Sequence, residues 1–312
     1  MTDYAKLIDA ETWAFIERTN SYYPPDTIDY TIDQQRGIYD HMCREFFAGY
    51  PAGVSVQTTA IKMPSHDIPI RVYRAQSEAS AMVLYYHGGG FILGGLDSHD
   101  DVCAELCQRS GYEVVSVDYR LAPEHKHPAA FEDAMSAFAW AASTYRLPIL
   151  LCGDSAGGNL AAAVSHATRG HKRGPVGQVL IYPGLGGDQS TGSYVTHAEA
   201  PMLTVRDLNF YKQIRAGERD VSGDVTSAPL ADKDFSNLPP TVIITAQCDP
   251  LSSDGEAYRS RITAAGGKAW WFEEPGLVHG YLRARHAVGR ARASFSRIVE
   301  AASALGKGDW PY

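Results

Sequence analysis

The chain has 312 residues, enough for one large α/β domain or two small ones, and its 45% hydrophobic and 21% charged residues are those of an ordinary globular protein. A formal net charge of −8 argues against nucleic acid or an anionic membrane as the main partner. No apolar run is long enough to span a bilayer. The start, Met1-Thr2-Asp3-Tyr4-Ala5-Lys6, lacks the basic beginning and apolar core of a secretory leader. Five cysteines, at 43, 103, 107, 152 and 248, show no framework spacing. Cys103 and Cys107 lie one helical turn apart, but no His or Cys partner pair completes a metal site. The expectation is a cytoplasmic protein with reduced cysteines and no metal.

Residues 1–50 read as helical. Ile8, Thr12, Phe15 and Ile16 share one helical face, Tyr22-Tyr23-Pro24-Pro25 breaks the pattern, and Ile32, Tyr39, Met42 and Phe46 mark a second helix. This segment precedes the first strand and is rich in aromatics (Trp13, Phe15, Tyr22, Tyr23, Phe46, Phe47), so it is expected to act as a lid as well as to pack on a core. Val54–Met63 and Ile68–Arg74, parted by Pro64-Ser65-His66-Asp67, read as an antiparallel hairpin. From Ala81 the rhythm changes to strand, loop, helix. Strands are expected at Ala81–Tyr86, Glu113–Asp118, Ile149–Cys152, Gln178–Tyr182, Thr241–Ala246 and Lys268–Glu273, and helices at Asp101–Arg109 and Pro128–Thr144. Strands alternating with helices imply a mostly parallel sheet with helices on both faces. One interruption, 184–237, carries no clear strand, although Thr204–Ala216 looks helical. A long insertion over the C-terminal edge of such a sheet is where a substrate cover belongs. Arg283, Arg285, Arg290, Arg292 and Arg297 are read as the solvated face of a C-terminal amphipathic helix whose other face carries Val288, Phe295, Ile298 and Val299.

The chemistry centres on Gly153-Asp154-Ser155-Ala156-Gly157, between an apolar strand and a small-residue helical run. A sharp strand-to-helix turn exposes the serine hydroxyl at the strand's C-terminal end and aims the helix's free N–H groups at negative charge forming there. His87-Gly88-Gly89-Gly90 also follows a strand. Its glycines let bare N–H groups converge on one point, as an oxyanion hole requires, while the lysine of a phosphate-binding loop is missing. A serine needs a base held by a carboxylate, and in this fold type the order is Ser, then Asp or Glu, then His. Asp249, just past the strand Thr241–Ala246, and His279, in the loop after Lys268–Glu273, both arrive at the sheet edge that bears Ser155. The rivals fit less well. Asp254 lies farther from the strand end and is expected to cap the helix Gly255–Ala264. His286 is expected on the surface of the final helix, and His125 and His127 precede the serine and read as loop residues.

Taken together, His87-Gly88-Gly89-Gly90, Asp118-Tyr119-Arg120-Leu121-Ala122-Pro123-Glu124, Gly153-Asp154-Ser155-Ala156-Gly157-Gly158-Asn159, Asp249-Pro250-Leu251, Asp254-Gly255-Glu256-Ala257-Tyr258 and His279-Gly280 resemble the bacterial hormone-sensitive-lipase family of α/β-hydrolases. The match runs from about Leu84 to Tyr281. The resemblance implies a single α/β-hydrolase domain with a helical cap built from about 1–50 and about 184–237. It implies an esterase whose oxyanion donors are the N–H groups of Gly89, Gly90 and Ala156. Aspartate before the serine resembles cytosolic members acting on short acyl chains. The segment around Arg120 and Glu124 is structural in the family. Ser252-Ser253 departs from it, where charged residues are common. A homodimer through the edge strand Lys268–Glu273 is left open by the same analogy.

The expected activity is hydrolysis of small carboxylic esters by Ser155, His279 and Asp249, with no metal or organic cofactor. An amide, carbamate or lactone hydrolase using the same residues is the alternative. A non-catalytic small-molecule receptor on this fold is disfavoured by the presence of His279.

Overall fold

The computed structural model describes residues 2–24 and 26–312; Met1 and Pro25, which the sequence expectations for the start and for Tyr22–Pro25 include, lie outside them. The chain opens with helices α1 (Tyr4–Leu7), α2 (Ala10–Asn20) and α3 (Ile32–Phe46). Strands β1 (Ser55–Lys62) and β2 (Asp67–Arg74) form the expected antiparallel hairpin, and β2 pairs antiparallel with β4 (Glu113–Val117). The other strands, β3 (Met82–Tyr86), β5 (Ile149–Asp154), β6 (Gly177–Ile181), β7 (Thr241–Cys248) and β8 (Ala269–Val278), run parallel to β4, in the sheet order β1-β2-β4-β3-β5-β6-β7-β8.

Parallel neighbours cannot be joined by tight turns, so helices cross between them. These are α4 (Asp100–Ser110), α5 (Ala129–Thr144), α6 (Ala156–Ala167) and, after α7 (Ser193–Thr196) and α8 (Val205–Ala216) in the long insertion, α9 (Ser252–Ala264). Helix α10 (Gly289–Gly306) closes the fold. The two-residue strand period sorts the core into two layers. Val83 and Tyr85 of β3 and Leu150 and Cys152 of β5 face α2, α4 and α10. Met82, Leu84, Tyr86, Ile149 and Leu151 face α5, α6 and α9. Among the described residues no helix is long and apolar enough to cross a membrane.

Strand β8 continues five residues past the expected end at Glu273, through Pro275 and Gly276 to Val278. A proline is tolerated because β8 is an edge strand, and the register shifts where Ala246 and Cys248 of β7 meet it. The final helix starts at Gly289, later than its periodic pattern suggests. Tyr281–Ala284 form a separate 3-10 turn. The row of arginines is therefore not one solvated face. Arg285 is buried and paired with Asp101 and Glu105, Arg297 pairs with Glu274, and only Arg290 and Arg292 are exposed.

Helices α1 to α3 serve two structures. Ile8, Phe15 and Ile16 join the sheet's core, while Tyr39, Met42 and Cys43 of α3 pack with Ile92, Leu93 and Ala122. Arg36 of α3 fixes that second contact. It donates to the Ile92 and Ala122 carbonyls and forms a bidentate pair with Glu124 at 2.9 and 2.8 Å. Arg120 binds Asp133 on α5. Arg120 and Glu124 thus have architectural partners.

Candidate active site

Three parallel strands deliver one side chain each, one residue past their ends: Ser155 after β5, Asp249 after β7 and His279 after β8. Asp249 is fully buried. Its Oδ1 accepts from the Leu251 N–H at 2.9 Å, and its Oδ2 accepts from His279 Nδ1 at 2.7 Å. With Nδ1–H committed to the carboxylate, Nε2 is left as the acceptor for the Ser155 hydroxyl, 2.9 Å away. The Tyr182 ring lies 4.8 Å from the imidazole, centroid to centroid, and walls the same space.

Ser155 sits at φ 52° and ψ −116°, a conformation that side chains rarely adopt. The turn is possible only with glycine on each side of it. A Cβ on Gly157 would come within 1.8 Å of the Tyr86 carbonyl oxygen, and one on Gly153 within 2.4 Å of Gly157. Gly89 and Gly90 have φ of 125° and 62°, and a Cβ on Gly89 would strike the Leu93 carbonyl oxygen at 2.1 Å. Among the described residues the N–H groups of Gly89, Gly90 and Ala156 have no backbone acceptor, and all three residues line the cavity that holds Ser155. Ala156 is the first residue of α6, so its N–H is one of the unsatisfied donors at a helix start.

What locks the glycine loop against the serine turn is Asp154, whose role no sequence signal disclosed. Its Oδ1 accepts from the Tyr85 hydroxyl at 2.7 Å and the Gly88 N–H at 3.0 Å, and its Oδ2 pairs with His99 Nε2 at 3.1 Å. Burial alone would raise its pKa, but His99 and the Tyr85 hydroxyl outweigh it and hold the carboxyl well below the usual range. The imidazole of His87, stacked on Tyr119 at 4.3 Å, is lowered to about 4 by burial.

The rivals have other work. Asp254 does not cap a helix: α9 begins at Ser252, and the Asp254 carboxylate reaches out of its first turn. It accepts from the Leu185 and Gly187 N–H groups and the Tyr194 hydroxyl, tying the long insertion to the sheet edge, and burial pushes it up to about 6. His286 is exposed and lies in the turn before α10, 3.0 Å from Glu105. His127 is buried against Asp224 and Arg215, and His125 lies in an exposed loop. Of the unusual pair, Ser253 exchanges hydrogen bonds with Ser193 of α7, and Ser252 binds Glu273.

The cavity over Ser155 has a volume of about 500 Å³. Helices α2 and α3 contribute Thr19, Asn20, Tyr39 and Met42 to its wall, and α8 contributes Leu208 and Tyr211. Tyr211 closes on the glycine loop so tightly that a Cβ on Gly90 would meet its ring at 2.8 Å. Of the six aromatics singled out in residues 1–50, only Tyr23 lines the cavity. Phe15 is in the core, and Phe47 is exposed.

The family described as the alpha/beta hydrolase fold matches residues 83–283. Esterase LipI of Mycobacterium tuberculosis is 40% identical over 236 residues, covering 72% of this chain and 73% of its own. An ethyl acetate hydrolase of Pseudomonas putida is 32% identical over 250 residues, covering 76% of this chain and 78% of its own. Among solved structures, a hyperthermophilic esterase from the archaeon Pyrobaculum calidifontis is similar with a TM-score of 0.88 at 32% identity, covering 96% of this chain and 99% of that one. With strand order, turn geometry and sequence in agreement, the chain belongs to the alpha/beta-hydrolase-fold family, among its hormone-sensitive-lipase-like carboxylesterases.

Proposed function

We propose that the chain hydrolyses short-acyl carboxylic esters through an acyl-enzyme formed on Ser155. The observation that carries this is the unbroken line of hydrogen bonds from Asp249 through His279 to Ser155 at the ends of three parallel strands, β7, β8 and β5. Ser155 Oγ attacks the ester carbonyl carbon as its proton passes to His279 Nε2. The carbonyl oxygen takes up the negative charge and is met by the N–H groups of Gly89, Gly90 and Ala156. Nε2 then returns the proton to the leaving alcohol as the C–O bond breaks, giving the ester of Ser155. Water repeats the sequence, losing its proton to Nε2, and the acid departs as Ser155 recovers its own. Asp249 fixes the imidazole tautomer and stabilises the cation formed in each half.

Residues 1–50 and 184–237 act as the cap of one domain; this is supported by their shared lining of the cavity. The name of the ethyl acetate hydrolase supports a short acyl preference. The five buried free cysteines support a cytoplasmic location. A homodimer would use edge strand β8, where Trp270 is 44% exposed.

The test is a series of p-nitrophenyl esters with acyl chains of two to twelve carbons, run on the parent and on Ser155→Ala. The parent should peak at about two to six carbons. Ser155→Ala should lose on the order of a thousandfold or more in kcat and should no longer be labelled by a phosphonate probe. Near-normal turnover by the alanine variant would remove Ser155 from the mechanism.

A further inference from the structure

The titratable side chains lining the cavity include Asp154, Asp207, Lys212, Arg215, His279 and Arg283, of which Lys212 is exposed. Both carboxylates are engaged. Asp154 is held by Tyr85, Gly88 and His99, and Asp207 closes a capping box with Thr204 at the start of α8. Arg215 lacks a carboxylate partner among the described residues and its Nε is buried without a hydrogen-bond partner, but its guanidinium lies 3.4 Å over the Phe91 ring, and Nη2 is 3.4 Å from His127 Nδ1.

Arg283 differs. Its Nη2 donates to the Tyr39 hydroxyl, whose ring lies 4.9 Å from the guanidinium carbon. Its Nε is buried without a partner, and among the described residues no carboxylate oxygen comes within 4.0 Å of it. The remaining nitrogen, Nη1, has no hydrogen-bond partner among the described residues. It sits beside the backbone that follows His279, 3.6 Å from where a Cβ on Gly280 would stand. A guanidinium stays charged at any ordinary pH. The neighbouring Tyr39, Tyr182, Tyr23 and Cys43 supply no counter-charge, because burial raises the pKa of each and keeps it neutral. Asp154 attracts Arg283 only from a distance. A largely desolvated cation without a paired anion is costly, and fixed cations of this kind characterise sites where an anion is bound.

We propose that Arg283 receives a carboxylate on the substrate, so that the preferred esters carry a negative charge in one half, as monoesters of dicarboxylic acids and esters of hydroxy acids do. This rests on the site being an ester hydrolase. One open guanidinium edge, with the Tyr23 hydroxyl on the same cavity wall and likewise without a partner among the described residues, matches a planar, singly charged group. A phosphate, doubly charged, would call for more donors than this edge provides. The surrounding wall is apolar, including Met42, Leu93, Leu203 and Leu208, so the contact forms away from bulk water, where a charge pair counts for more.

The experiment compares kcat/KM of the parent for three esters: monoethyl succinate, its uncharged isostere ethyl 4-methylpentanoate, and the butyrate ester of 3-hydroxypropanoate, which carries its carboxylate in the alcohol half. One of the two charged esters should exceed the uncharged one by tenfold or more, chiefly through KM, and which one does so tells the half that faces Arg283. Arg283→Met should erase that preference, and Arg283→Lys should restore part of it. Glutarate should inhibit hydrolysis of the uncharged ester by the parent competitively, less so as salt is raised, a measurement that needs no variant to fold. A parent that favours the uncharged ester over both charged ones, a preference that survives Arg283→Met, or no inhibition by glutarate would each overturn the proposal. Failure to hydrolyse any of the three would instead overturn the hydrolase function on which it rests.

Discussion

The sheet edge and the helices above it are built by different rules. At the edge, Ser155, Asp249 and His279 are placed by backbone: each is the next residue after a parallel strand, and the register between strands sets their spacing. Above it, α3, α8 and the insertion meet the edge through side chains, with Arg36 reaching two carbonyls, Tyr211 lying against a glycine and Asp254 of α9 holding two N–H groups of the insertion. Under the proposed function, the edge carries the reaction and the layer above it the selectivity.

The largest effects should come from the edge. Asp249→Asn and His279→Ala should each lower kcat by roughly ten-thousandfold with the fold intact. Asp254→Asn should lower it less than tenfold, because asparagine keeps an acceptor for the insertion's N–H groups, and His286→Ala should do nothing measurable. Steady-state rates and far-UV circular dichroism on the four variants check the contrast; an Asp254 variant worse than the Asp249 one would reverse the roles assigned to the two carboxylates.

Acid separates function from folding next. Protonated His279 has no lone pair for the serine proton, so kcat/KM should fall as pH drops, and should return on neutralisation. Stability should follow by another route. His87 is held near 4 in the fold, below the ordinary histidine value, so the unfolded chain takes up its proton first. That contribution is complete above about pH 6.5 and is lost as pH falls toward about 4. His127, His166 and His197, also lowered, add to it, while Asp118 and Asp254, both raised to about 6 by burial, oppose it. The melting temperature should therefore decline from pH 7 to pH 4.5. A rise on acidification would mean that the buried histidines do not govern this range.

The smallest effect belongs to the upper layer. Leu208→Ala on α8 should leave turnover of the best short ester within a few fold and move the optimum toward longer acyl chains. One methylene in an apolar pocket is worth roughly 1–3 kcal/mol, enough to register in ratios of kcat/KM. An unchanged chain-length profile would place the acyl wall on the N-terminal helices instead.

The same division decides what a sequence discloses. The Gly-Asp-Ser-Ala-Gly turn and the order Ser, Asp, His single out Ser155, Asp249 and His279 in the sequence, although the strands run past the ends their apolar pattern suggests, β8 by five residues. Arg283 is not so marked. The arginine spacing from 283 to 297 mimics one amphipathic helix, and only the structure shows a 3-10 turn ending at Ala284, with Arg283 on the cavity and Arg285 buried against Asp101 and Glu105. Asp254 misleads for a related reason. A carboxylate near a helix start suggests a cap, whereas its acceptors are claimed by a segment some seventy residues earlier, Leu185 to Gly187, a contact with no local signature. The N-terminal aromatics divide between core and cavity by tertiary packing, which composition cannot sort.

The backbone of Ser155 has a bearing on what this fold gives up for its chemistry. A non-glycine residue at φ 52° and ψ −116° holds roughly 1–3 kcal/mol of conformational energy, a sizeable share of the 5–15 kcal/mol that keeps a typical domain folded. Alanine at this position inherits that burden, because it too has a Cβ; glycine does not. A lineage released from catalysis would have a route to a sturdier fold through a single change at its most important residue. A serine in so unfavourable a pose marks the turn as a place where reactivity and robustness pull in opposite directions.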